Sequence, residues 1–144
     1  MQALTYLYNR IAENNIALFD YRIPKHKGAT LEIEQQYAIF INYENINTLY
    51  DEFNCVAHEY GHCMSGSTHK LMSKFDLIEK HEHQAEKQAI TDLLPEEDLQ
   101  AAINAGCREL WHFSEFLDMP PEFIEKAIRL YKSKNLFPTK KKIY

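Results

Sequence analysis

No apolar run in this sequence approaches the ~20 residues that a membrane-spanning helix requires, which excludes a transmembrane segment of that kind. The first residues, MQALTYLYNRIAENN, lack a basic stretch followed by an apolar one, and so do not spell a secretory signal. Cysteine is scarce. Three residues, an odd number without CxxC spacing, suit a reducing cytoplasm better than a disulfide framework. Only four glycines and five prolines occur in 144 residues, too few for a loop-dominated or disordered chain. Internal repeats and low-complexity stretches are also missing. What is present is ordinary globular composition, 45% apolar and 26% charged, enough for one compact core. The expected organisation is a single domain over residues 1–134, followed by a frayed basic tail over 135–144.

Charge is unevenly spread. From Pro120 onward seven bases stand against two acids, net +5, which leaves -10 on the first 119 residues of a chain whose total is -5. An acidic body disfavours nonspecific nucleic-acid binding, while the basic end permits a local anionic contact.

Periodicity predicts an α+β fold, a small antiparallel sheet of two or three strands beside a helical body. Leu4, Leu7, Tyr8 and Ile11 recur at helical spacing within residues 2–15. IALFDYRI, ATLEIE and YAIFIN are rich in β-branched and aromatic residues and read as strands. Asn45 or Asn47 is positioned to cap a helix whose apolar face carries Leu49, Phe53, Val56, Ala57 and Tyr60, with Gly66 as its stop. After a loop from Ser67 to about Leu77, a helix is expected from roughly Ile78 to Leu94, ended by Pro95. PEEDLQAAINAG follows as another, then a pair, RELWHFSEFL and PPEFIEKAIRLYK, joined at Asp118-Met119-Pro120.

The chemistry lies in CVAHEYGHC. On a helix, positions i and i+4 share a face, so His58 and His62 can converge on one ion. Glu59, rotated by about 100°, reaches a water beside it. Hydrolytic zinc uses three protein ligands and an open position, and lowers the pKa of water towards ~7 so that a carboxylate can take its proton. A bare HExxH also arises by chance in polar helices, and the flanks carry weight here. Phe53, Val56 and Ala57 make the inward side apolar. Gly61 costs ~1 kcal/mol inside a helix, which a close approach of another backbone would explain.

Several groups compete to be the third ligand. Gly66 and His69 are each one residue too late for the register HExxHxxGxxH. In EKHEHQAEKQAITDLLP, Glu82, Ala85 and Ala89 share a face whose small residues permit close packing against the first helix. Glu82 would then point at the ion. His81 and His83 lie about 100° to either side of it, and Glu86, one turn on, is the rival carboxylate.

The combination VAHEYGHC, Gly66 and KHEHQAEKQAITDLLP resembles the ImmA/IrrE family of gluzincin-like zinc metallopeptidases of prophages and mobile elements. The resemblance spans nearly the whole chain. The segment Glu82-His83-Gln84-Ala85-Glu86-Lys87-Gln88-Ala89, closed by Leu93-Leu94-Pro95, stands where that family has E-x-x-A-N-x-aromatic-A. Glu86 replaces the usual Asn and Gln88 the usual aromatic. Carried over by position, the resemblance implies zinc as cofactor, His58, His62 and Glu82 as its ligands, and Glu59 as general base. It also implies limited proteolysis of a repressor-type regulatory protein. The cysteine usage places the chain in the cytoplasm, and the lack of a long apolar run and the acidic body argue against a membrane or nucleic acid as direct partner. The alternative is an antirepressor that binds its partner without cutting it and uses zinc structurally.

Other residues have plainer readings. Cys55, Cys63 and Cys107 are expected as small buried side chains, and Tyr60 as core. An oxyanion donor must exist if peptides are cut. His112, His69, His81, His83 and Tyr131 are open candidates. Residues 107–132 have the outline of a DNA-reading helix pair, but Trp111, Phe113, Phe116, Leu117, Phe123, Ile124, Ala127, Ile128 and Tyr131 form an apolar stripe suited to core packing. The Lys140-Lys141-Lys142 run reads as a solvated tail.

Overall fold

The apolar spacing of the first residues does form a helix, α1 (Gln2–Glu13), with Leu4, Leu7 and Ile11 buried. The structure is a computed structural model that describes residues 1–66 and 75–134. The predicted loop at Ser67, His69 and the segment NLFPTKKKIY lie outside the described residues.

Three strands follow, β1 (Ala17–Asp20), β2 (Gly28–Ile33) and β3 (Gln36–Ile41). The sheet order is β1-β3-β2. This corrects the expectation of a purely antiparallel sheet, because β1 pairs with β3 in parallel while β2 and β3 form an antiparallel hairpin. The reason is topological. The chain reverses twice between β1 and β3, and β3 takes the central position between the other two. The hairpin turn places Glu34 (φ 52°) and Gln35 (φ 66°) in the left-handed region, as a two-residue turn between right-twisted strands demands. Ile39 and Ile41 face the core, whereas Phe19, Leu31 and Ile33 are exposed.

Helix α2 (Leu49–Ser65) carries HEYGH. Its N-cap is Thr48, not Asn45 or Asn47. The Thr48 hydroxyl accepts from the Asp51 N–H at 3.0 Å, a cap worth about 1 kcal/mol. Asn45 instead ends a short 3-10 turn (Tyr43–Asn45). Gly66 closes α2 in the left-handed conformation (φ 67°), as expected.

Helix α3 (Phe75–Leu93) begins a few residues earlier than the pattern suggests and stops before Pro95. Then come α4 (Glu96–Asn104), α5 (Leu110–Leu117) and α6 (Pro121–Ser133). The fold is α+β, with six α-helices among the described residues. Its core runs from α1 and the inner sheet face through Phe53, Val56 and Tyr60 of α2 to Phe113, Ile124 and Ile128 of the closing pair. Trp111 and Phe116 depart from the predicted apolar stripe. They are 62% and 49% exposed, because α5 turns only Phe113 and Ser114 fully inward. Among the described residues no helix is long and apolar enough to cross a membrane.

Candidate metal centre

The side chain of Tyr60, within the motif, points away from the centre and has no exposed surface. Its hydroxyl donates to Asp92 of α3, and Asp92 also accepts from Arg10 of α1 at 3.3 Å. Burial first, then the bond to Asp92, raises the Tyr60 pKa, so the hydroxyl stays a donor. This clamp ties three helices together behind the motif.

A second device sets how closely α2 and α3 approach. A Cβ added at Gly61 would run into the backbone carbonyl of Ala85, with its carbon at 2.9 Å, and would lie 3.2 Å from Ala89 Cβ. Ala85 and Ala89 are themselves buried. The helix-disfavouring glycine is therefore explained by the approach of a backbone, and the small face of α3 is used as its spacing suggests.

With the helices that close, Glu82 reaches both histidines. Its Oε2 lies 3.0 Å from His58 Nε2, its Oε1 lies 3.2 Å from His62 Nε2, and the two Nε2 atoms are 3.3 Å apart. One ligand atom from each of the three residues falls within 4.8 Å of the others. A tetrahedral ion with bonds of about 2.0–2.1 Å separates its ligand atoms by roughly 3.3–3.4 Å. The donor set therefore fits such an ion without rearrangement. Two imidazole lone pairs and a carboxylate turned to one point also call electrostatically for a cation. His62 is only 4% exposed and anchors the cluster, while His58 and Glu82 remain 44% and 40% exposed on the solvent side. His83 and Glu86, the rivals to Glu82, are exposed and outside the cluster, as is half-buried His81.

Glu59 is buried beside this cluster, 8% exposed. The Thr30 hydroxyl of β2 donates to its Oε1 at 2.8 Å, which orients the carboxylate and leaves Oε2 to accept another proton. Gly28, two residues earlier on the same strand, sits over it. A Cβ there would lie 3.1 Å from both Glu59 Cγ and Cys55 Sγ, and 3.3 Å from Glu59 Oε2.

Strand β2 and the loop before it thus form one wall of a cavity of about 410 Å³, and His58, Glu59, His62 and Glu82 form the other. His26 belongs to the first wall. Its loop is pinned by buried Asn42, whose amide donates to the carbonyls of Ile23 at 2.9 Å and His26 at 3.4 Å. Sequence reasoning missed Thr30, Gly28 and His26. Of the five open oxyanion candidates, His69 lies outside the described residues, and His112, His81, His83 and Tyr131 do not line this cavity. Tyr131 instead donates to the Leu94 carbonyl at 2.8 Å, inside the core.

The cysteines are all free. Cys63 and Cys107 are buried as expected, whereas Cys55 is half-buried in the wall of a neighbouring cleft. Its thiol is pushed up to about 12, first by burial and then by the charges of Glu59 and Asp51. It is no nucleophile at neutral pH.

No protein-family model, no curated protein and no solved structure matches this chain.

Proposed function

We propose that the chain is a zinc-dependent endopeptidase of the cytoplasm. The observation that carries this reading is the convergence of His58, His62 and Glu82 on one point beside a buried, oriented Glu59. The donor set, two imidazoles and one carboxylate with a solvent-facing side, is the kind that hydrolytic zinc sites use. When bound, zinc supplies Lewis-acid polarisation of a carbonyl and lowers the pKa of water towards ~7.

The chain's own residues do the rest. Glu59 Oε2 accepts the proton of the attacking water and returns it to the leaving amine. Thr30 holds Oε1, so the free oxygen does not rotate away from its task. His26, across the cavity, donates to the carbonyl oxygen as it gains charge. Water-mediated attack needs no thiol, in keeping with the protonated Cys55.

The substrate class, a repressor-type regulatory protein, follows from the ImmA/IrrE-like motifs rather than from any geometry. The test is elemental analysis together with co-incubation. The native protein and Glu59→Gln each hold about one zinc per chain, Glu82→Ala loses it, and only the native protein cuts a repressor-type regulatory protein. A repressor held in complex but left full length by zinc-loaded native protein would overturn the peptidase reading in favour of a binding protein.

A further inference from the structure

The cavity at the metal centre continues past His58. A second cavity of about 390 Å³ shares Gly28, His58 and Glu59 with it and extends over Ala57 and Ala89 to Phe123 and Lys126. A third, of about 200 Å³, begins at Glu86 and Lys126 and runs on between α3 and α6. Its walls are two stripes with the same i, i+3, i+4, i+7 spacing. His83, Glu86, Lys87 and Ile90 come from α3, and Lys126, Arg129, Leu130 and Ser133 from α6. Ile90 and Leu130 are the apolar members and the charged heads form the rim.

That rim is cationic on a protein whose first 119 residues carry -10. Lys87, Lys126 and Arg129 outnumber Glu86, and Arg129 holds an exposed pair with Glu125 at 3.2 Å. Among the described residues no carboxylate pairs with Lys87, Lys126 or Lys134. The Lys134 side chain also meets that of Lys87, a like-charge contact that lowers the Lys134 pKa. Ammonium groups gathered at the end of a groove without a counter-ion form a receptor for an anion.

We propose that the α3–α6 groove is a subsite for acidic side chains of the polypeptide substrate, which runs from the metal centre past Ala57, Ala89 and Phe123 to Lys87, Lys126 and Arg129. The proposal deepens the peptidase reading and rests on it for the position of the scissile bond. The eight helical steps from Glu82 to Ile90 span about 12 Å. An extended chain covers that in about four residues, so the selected Asp or Glu lies about four residues from the cleaved bond. The apolar members, the presence of Glu86 and the acidic body favour a peptide over a nucleic acid.

The test uses the full zinc-loaded chain with Glu59→Gln, which removes turnover from the binding step. Fluorescein-labelled peptides with four consecutive glutamates, glutamines or lysines are titrated by anisotropy at low and high salt. The glutamate peptide is expected to bind at least tenfold tighter than the glutamine peptide, with a preference that salt erodes. Adding Lys87→Glu and Arg129→Glu is expected to abolish that preference and favour the lysine peptide, a reversal that an unfolded chain cannot give. Equal affinities, or a preference unchanged by the charge reversal, would overturn the proposal. So would tighter binding of an oligothymidylate of equal charge, which would assign the groove to nucleic acid. A pooled quenched-peptide library with the native chain separates the two readings. Cleavage without acidic preference refutes the groove alone, whereas an intact glutamate preference without cleavage supports the groove and refutes the peptidase.

Discussion

Replacing Gly61 by alanine sets two effects of known size against each other. Alanine is favoured over glycine inside a helix by ~1 kcal/mol. The new Cβ, however, would lie 2.9 Å from the Ala85 carbonyl carbon and 3.2 Å from Ala89 Cβ. The obstacle is mainly backbone, which cannot rotate aside as a side chain does, so α3 must retreat by about an ångström. Overpacking of that kind costs ~1–3 kcal/mol, so the metal-free variant is expected to be up to ~2 kcal/mol less stable than the native chain. Glu82 lies one turn before Ala85 and retreats with it, out of contacts that now close at 3.0 and 3.2 Å. Disturbed positioning of a ligand weakens metal binding by about 10–100-fold, so on the proposed zinc reading up to ~2.7 kcal/mol of zinc-linked stabilisation is expected to disappear. Thermal unfolding in chelator reads the first effect, and competition with a chromophoric zinc chelator reads the second. A metal-free variant more stable by about 1 kcal/mol, with native zinc affinity, would refute the close approach of the two helices.

The parts of this site that are legible in the sequence are those fixed by a single helix. His58 and His62 need only the α-helical repeat to share a face, and Gly61, Ala85 and Ala89 advertise a close helix contact because small residues have little other reason to align there. Glu82 follows once that contact is assumed. The sheet side is different. Thr30 and Gly28 reach Glu59 through the order and register of β2 and β3, set by pairing across the sheet rather than by local pattern. The parallel pairing of β1 with β3 is invisible for the same reason. His26 depends on Asn42, sixteen residues later, to pin its loop. Even the cap of α2 escaped, because Thr48 competes with two asparagines of similar capping strength and only backbone geometry chooses among them.

Tyr60→Phe removes the donor to Asp92 and leaves that carboxylate with Arg10 alone. A loss of about 1–2 kcal/mol in denaturant unfolding is expected, and an unchanged midpoint would remove the clamp from the argument. Cys55, with its thiol raised from 9.0 to about 12, is expected in the zinc-free chain to react with iodoacetamide at pH 8 roughly a thousandfold more slowly than an unperturbed thiol. An unfolded thiol releases its proton near 9 while the folded one keeps it. Its contribution to stability is therefore complete below pH 9 and is lost as pH climbs towards about 12. Alkylation at the free-thiol rate would contradict both statements. Gly28→Val probes the proposed general base, Glu59, without touching a proposed ligand. The strand conformation accepts valine readily, but its Cβ would press on Glu59 Cγ and Cys55 Sγ at 3.1 Å and on Glu59 Oε2 at 3.3 Å. The Glu59 side chain must give by a few tenths of an ångström, which shifts the carboxylate that Thr30 orients. Peptide cleavage is expected to fall at least tenfold at native zinc content. Loss of zinc in step with activity would instead place Gly28 in the support of the ligands, and full activity would mean that the orientation of Glu59 by β2 has no part in catalysis.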